Sequence, residues 1–238
     1  MALGDSLYAR YDPLGALDRY SEAERLSEGR LPFALARALA RCHYDIGLDA
    51  LAERGAGSAE DHFKEAVSLS ERLVASFPDS AQAHFLLAAT LGNLAQFKGG
   101  KERIALAREV ERQSRTAIEL DPDFAYPYVA LGILYRELAG LSWVEQTWAH
   151  LFYGELPKAT IDDALALLCR AAELDPLIPF VQHELATTYL RLGDTERGLL
   201  HLRQLLVLKP QTSQDIRNQT NARLLLQHMA ASGLNAQD

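Results

Sequence analysis

One motif recurs four times in this 238-residue sequence: an apolar helical segment, a short turn that contains proline, and a second apolar segment. Its copies contain the stretches SFPDSAQAHFLLAATLG, ELDPDFAYPYVALGILY, ELDPLIPFVQHELATTYLRLGD and, more weakly, VLKPQTSQDIRNQTNARLLLQHM. Proline cannot continue a helix, and it biases the preceding residue away from helical geometry. The turn prolines therefore mark helix ends, and the chain is predicted to be a series of helix pairs; they are Pro78, Pro122, Pro176 and Pro210.

The spacing of these prolines indicates which kind of helical repeat is present. Pro176 and Pro210 are 34 residues apart, which is the period of about 34 residues typical of tetratricopeptide repeats. Small residues recur where paired helices must approach closely, at Gly132, Ala164, Ala186 and Gly198. The sequence thus predicts an all-α fold, a right-handed tetratricopeptide-repeat superhelix of antiparallel helix pairs with insertions in the central units and a C-terminal capping helix.

Two longer spacings place these insertions. The prolines of the central units are 44 and 54 residues apart, so we expect about 10 and about 20 extra residues between the two helices of each unit. The shorter insertion corresponds to FKGGKERIALAREV, which the Gly99-Gly100 pair interrupts, and the longer one to GLSWVEQTWAHLFYGELPKAT.

A single domain is predicted over residues 1–231. It comprises helix pairs over 31–78, 79–122, 123–176 and 177–210, an N-terminal half-unit over 5–30 and a capping helix over 211–231, followed by a flexible tail over 232–238. The half-unit has only the second helix of a pair, which favours a trimmed N-terminus. The protein is expected to be cytoplasmic as written, and periplasmic or exported if a leading segment has been removed.

Composition excludes several classes of protein. A net charge of -8 repels nucleic acid unless arginines gather on one face, and no apolar run approaches the roughly 20 residues that span a bilayer.

Cys42 and Cys169 fall in apolar helical patterns, where a buried, inert thiol is the ordinary interpretation. Arginine supplies 19 of the 24 basic residues, which favours a GC-rich, bacterial coding sequence.

No catalytic or metal-binding motif is present. The seven histidines form no H-x-x-x-H pattern; HELATTYL comes nearest, with Thr187 where a second ligand would be needed. Asp162 and Asp163 instead favour the positive end of a helix dipole, and Thr160 is predicted to cap that helix. We therefore expect no enzyme activity, no cofactor and no metal.

Several elements resemble one family of tetratricopeptide proteins, the regulators of microtubule dynamics. They are KGGKERI, AIELDP, LSWVE, LFYGELPKAT, DALALLCRAAELDP and LATTYLRLGD, and they cover roughly residues 60 to 225. The resemblance implies a non-catalytic adaptor built on a helical repeat domain. Its eukaryotic members are linked to microtubules, organelle contact sites and phospholipid handling.

The repeat register predicts a concave binding wall built from the first helix of each pair. Apolar side chains there would supply contact area and arginines would donate to carboxylate or phosphate, although pairing with neighbouring acids is an equal alternative. The predicted ligand is a protein segment; the alternative is a phospholipid or another apolar molecule in a channel. The predicted wall comprises Arg37, Arg41, Tyr44, Phe85, Ala89, Asn93, Tyr126, Val129, Ile133, Arg136, Phe180, His183, Thr187 and Arg191.

The longer insertion contains both tryptophans of the chain. Trp143, Trp148 and neighbouring apolar residues form one stripe if the helix before Gly140 simply continues. Packing against an adjacent element is favoured over an exposed contact patch, because aromatic stripes at helical spacing usually belong to a core. The family-specific residues of this stretch are Trp143, Trp148, Phe152, Pro157 and Thr160.

Overall fold

The computed structural model describes residues 1–27, 31–53, 55–141 and 159–231. All regular secondary structure within these ranges is helical. The α-helices are α1 (Ala2–Tyr8), α2 (Pro13–Arg25), α3 (Phe33–Ala52), α4 (Ala56–Ser76), α5 (Ala81–Leu94), α6 (Gly100–Leu120), α7 (Ala125–Ala139), α8 (Ile161–Leu174), α9 (Pro179–Arg191), α10 (Thr195–Val207) and α11 (Ser213–Ala231), with a single 3-10 turn at Ala95–Phe97.

Consecutive helices pack as pairs, and the pairs stack side by side. The most extensive contacts join α3 to α4, α5 to α6, α7 to α8 and α9 to α10. Each second helix also packs against the first helix of the next pair, and the first helices contact one another in series from α3 through α5 and α7 to α9. This series forms an inner wall, which is the arrangement predicted from the repeat register.

The helix ends follow from local sequence. Pro78, Pro122 and Pro176 each stand two residues after a helix, where the intervening Phe77, Asp121 and Asp175 have left helical geometry. After Pro78 the next helix begins at a polar cap, where the Ser80 hydroxyl accepts from the amide of Ala83; in the turn between α9 and α10, Asp194 caps α10 by accepting from the amide of Arg197. These prolines and caps give the turns between consecutive helices.

Small residues allow the helices of a pair to pack closely. A Cβ placed on Gly132 of α7 would lie 2.9 Å from Cγ of Leu168 and 3.2 Å from the carbonyl oxygen of Ala164, both on α8. Ala164 and Ala186 are fully buried, and a Cβ on Gly198 would overlap the side chain of Leu190. The predicted small-residue positions thus lie at helix contacts.

The N-terminal unit contains two helices, whereas the sequence predicted only one. A short helix, α1, precedes α2 and packs on it, with the hydroxyl of Tyr20 donating to Asp5 at 2.6 Å and the Tyr20 ring covering Gly4. Seven residues are too few to show helical periodicity in the sequence, which is why α1 was missed.

Both insertions fall between the two helices of a unit, as predicted. After α5, the shorter one forms the 3-10 turn and lengthens α6 to 21 residues. The longer one separates α7 from α8, and most of it lies outside the described residues. Helix α7 ends at Ala139 with Gly140 as its C-cap, so it does not run on through Gly140 as a single tryptophan stripe would require; glycine is a poor helix former.

Candidate ligand-binding cavity

The inner wall encloses one large cavity with a volume of about 1020 Å³. Helices α3, α5, α7 and α9 form its floor, while α1, α6 and residues 211–215 close its sides. Small-molecule pockets span about 300–1,000 Å³, so this cavity lies at the upper end of that range. It remains open to solvent along part of its boundary.

Three aromatic rings form the apolar centre of the wall. Phe85 of α5 lies 5.4 Å, centroid to centroid, from both Phe124 and Tyr126, and these two rings are 5.8 Å apart. Aliphatic side chains of α7, Val129 and Ile133, continue the same surface. This aromatic trio, Phe85, Phe124 and Tyr126, gives a ligand a large area for apolar contact.

A polar network occupies the end of the cavity next to α1. The guanidinium of Arg41 donates to the hydroxyl of Tyr8 at 2.8 Å, and that hydroxyl donates to Asp45. Burial raises the pKa of the Asp45 carboxyl to about 6, although the Tyr8 hydrogen bond and Arg41 oppose the shift. The pKa of Tyr8 is raised by the same burial and by the Asp45 charge. Asp45 therefore titrates much closer to neutral pH than an ordinary aspartate.

Carboxamide side chains line the cavity on both sides. Some already have partners: the Oε1 atom of Gln82 accepts from Arg37 at 3.0 Å, and Asn93 donates to the Tyr44 hydroxyl at 3.2 Å. An amide carries two donors and an acceptor with two lone pairs, so these bonds leave hydrogen-bonding capacity toward the cavity. The carboxamides are Gln82, Asn93, Gln96, Gln211 and Gln214.

The C-terminal segment lies across the concave side and meets the N-terminal helices. The hydroxyl of Tyr11 donates to the carbonyl of Pro210 at 2.7 Å, and Asp49 accepts from Ser213 at 2.9 Å and from Arg217. The hydroxyl of Tyr126 donates to Gln211 at 3.1 Å. The helical array is therefore closed into a ring rather than left as an open groove.

Most of the predicted wall residues come together in this cavity. Those that line it are Arg37, Arg41, Tyr44, Phe85, Ala89, Asn93, Tyr126, Val129, Ile133, Arg136 and Phe180. His183, Thr187 and Arg191 of α9 do not line it. On this helix the next residue, Glu184, lines the cavity instead of His183.

Two of the predicted arginines are committed to carboxylates. Arg136 is buried and donates to Glu184 at 2.7 Å and to Thr188 at 3.1 Å, which joins α7 to α9. Arg191 pairs with Glu137 at 2.7 Å. For these two arginines, the alternative of pairing with a neighbouring acid is confirmed.

Other lining residues were missed by the sequence argument. Each of three missed residues lies one turn from a predicted residue. Gln82 precedes Phe85 by a turn, Gln96 follows Asn93, and Asp45 follows Arg41. Extending the register by a turn would have found them. Residues 211–215 carried no such signal, because the repeat pattern does not specify where a terminal segment folds back.

Thr160 is the only family-specific residue of the longer insertion among those the structure describes. Its hydroxyl accepts from the amide of Asp163 at 3.1 Å and the Asp163 carboxylate accepts from the Thr160 amide at 3.0 Å, a capping box that confirms the predicted cap of α8. Trp143, Trp148, Phe152 and Pro157 lie outside the described residues. Whether the tryptophans pack or form a contact patch stays a prediction.

Stacked helix pairs around a concave wall define this protein as a tetratricopeptide-repeat protein. A thermophilic tetratricopeptide-repeat protein of Thermus thermophilus superposes with a TM-score of 0.68 at 20% identity, over 94% of this chain and 96% of that one. At this identity the likeness establishes the fold alone. In the described part of the chain, no helix is long and apolar enough to cross a membrane.

The family model described as regulator of microtubule dynamics protein 1-3 matches residues 2–230, so the chain belongs to this family. Regulator of microtubule dynamics protein 1 of Bos taurus is 27% identical over 88% of this chain and 64% of its own length. Regulator of microtubule dynamics protein 2 of Homo sapiens is 27% identical over 62% of this chain and 36% of its own length. The chain thus spans about one third to two thirds of the length of these relatives.

Proposed function

We propose that this protein is a non-catalytic scaffold that holds a segment of a partner protein in the cavity of its helical ring. The fold and the family both favour a protein-interaction scaffold. The proposal rests on the composition of the cavity wall, which combines carboxamides with an aromatic trio. An extended backbone exposes unpaired N–H and C=O groups, and carboxamides can satisfy both kinds.

The lining of the cavity also favours a segment of chain. A ligand that fills the cavity contacts the Arg41 network, α6 and all four first helices. Such a ligand would place apolar side chains at the aromatic trio and polar groups at the surrounding polar side chains.

The test is selection of a random 12-residue peptide library on the immobilised full chain. We expect recovered peptides to share an apolar or aromatic position and to bind the protein in solution, as measured by fluorescence anisotropy. Failure to recover any binding peptide would overturn the proposal that the ligand is a protein segment.

Ring closure favours a second candidate, binding of a phospholipid or another apolar small molecule. Residues 211–215 cover part of the groove, so an apolar ligand would be shielded from water there. Native mass spectrometry followed by solvent extraction distinguishes the candidates. A stoichiometric co-purified lipid supports the second, whereas lipid-free protein across several preparations counts against it.

A further inference from the structure

Three arginines line the cavity without an ion pair to a carboxylate among the described residues, although the charges of Arg41 and Asp45 lie near enough to attract each other. Arg37 donates to the amide of Gln82, and Arg41 donates to the Tyr8 hydroxyl and lies over the Tyr8 ring at 4.6 Å. The guanidinium of Arg103 on α6 forms no hydrogen bond or ion pair with the described residues. By contrast, arginines outside the cavity such as Arg112 and Arg170 pair with glutamates within 4.0 Å.

The carboxylates that line the same cavity are already occupied. Glu184 accepts from Arg136 and Glu137 from both Arg136 and Arg191. Asp215 caps α11 by accepting from the backbone amides of Gln211 and Thr212, at 2.9 and 3.0 Å. The fourth, Asp45, accepts from Tyr8. The formal charges of the lining arginines and acids balance, but the acids are neutralised or hydrogen-bonded where they stand.

The three arginines lie on two helices of the cavity wall. Arg37 and Arg41 lie one turn apart on α3, so they face the same way, while Arg103 belongs to α6. Guanidinium groups offer forked donors that match carboxylates, so a ligand that carries carboxylates can bind these side chains.

We propose that the partner segment is acidic, and that Arg37, Arg41 and Arg103 bind its Asp or Glu carboxylates. This inference rests on the proposed function and specifies its ligand. The aromatic trio then receives an apolar side chain of the same segment.

The test uses the peptides recovered by the library selection on the full chain. We expect an excess of Asp and Glu over the library composition, and for a synthetic copy of one such peptide, replacement of its Glu residues by Gln should weaken binding at least about tenfold. Arg37→Gln and Arg103→Gln should each weaken binding of the acidic peptide by about tenfold. Arg203→Gln removes the same charge from an exposed site on α10 and should change affinity by less than about twofold.

The outcomes separate the two proposals. Recovered peptides without an acidic excess, or an acidic peptide that binds Arg37→Gln and Arg103→Gln as tightly as the wild type, would refute the acidic-segment inference and leave the scaffold function standing. Recovery of no peptide would overturn the protein-segment function itself, and this inference with it. Circular dichroism on each variant shows whether a loss of binding reflects a loss of folding.

Discussion

At the scale of single residues, the charge that an arginine offers to a ligand depends on whether a carboxylate of the protein already pairs with it. Arg136 is bound to two glutamates and a threonine, so it serves the contact between α7 and α9. Arg41 donates to the Tyr8 hydroxyl, lies over the Tyr8 ring and is attracted by the charge of Asp45, without a direct ion pair. Two arginines on the same concave wall therefore have different roles, decided by the residues opposite them.

Asp45 gives a prediction about pH. Burial raises its pKa in the folded protein to about 6, above the ordinary value of 3.8. A raised carboxyl pKa contributes stability that is fully present below the unfolded pKa and is lost as the pH rises through the folded pKa. The free energy of unfolding of the wild type, relative to Asp45→Asn, should therefore decrease between about pH 4 and about pH 6.

Urea denaturation of both proteins at several pH values measures this difference. Groups other than Asp45 titrate in both proteins, so their contributions cancel in the comparison. A difference that stays constant across the range, or that increases with pH, would show that Asp45 is not a buried carboxyl with a raised pKa.

At the scale of helices, stability comes from close packing of one helix on the next. Helices α7 and α8 pack tightly at Gly132, where an added Cβ would lie 2.9 Å from Cγ of Leu168. The apolar cluster around Val129, Leu168 and Leu185 then joins this pair to α9. A repeat array is stabilised by such nearest-neighbour contacts, so a substitution that disrupts one contact destabilises the array.

Gly132→Ala should lower the free energy of unfolding by about 1–3 kcal/mol, because the new methyl group would overlap Leu168 and the backbone of Ala164. Gly57→Ala is the matched control, since a Cβ at this helical glycine in α4 meets nothing within 4 Å. The control should leave stability unchanged or raise it by up to about 1 kcal/mol. Thermal denaturation distinguishes the two, and equal effects would contradict the packing account.

The sequence predicted helices and helix pairs well because their signals are local. A proline after an apolar helical run marks the end of a helix, and a glycine at a crossing is visible from its spacing, as at Pro122 and Gly132. The first helices of the pairs could likewise be assigned to a concave wall. The short helix α1 and the end of α7 at Gly140 escaped prediction, because one is too brief to show a period and the other depends on a single weak helix former.

At the scale of the whole molecule, the decisive feature is ring closure between chain segments about two hundred residues apart. Tyr11, whose hydroxyl bonds to Pro210, adopts a φ of 63°, which is uncommon for a bulky side chain. Asp49 adds contacts to Ser213 and Arg217. No pattern in the sequence specifies such a long-range meeting, so the closure of the ring could not be predicted.

If the ligand binds inside the ring, a bulky side chain placed in the cavity should block it. Ala89 of α5 lines the cavity, whereas Ala105 of α6 is exposed and lies outside it. The measurement is a fluorescence anisotropy titration of a library-selected peptide against Ala89→Trp and Ala105→Trp. We predict a loss of affinity of at least about tenfold for Ala89→Trp, because the indole occupies ligand space, and none for Ala105→Trp. Wild-type affinity in a folded Ala89→Trp protein would contradict the account.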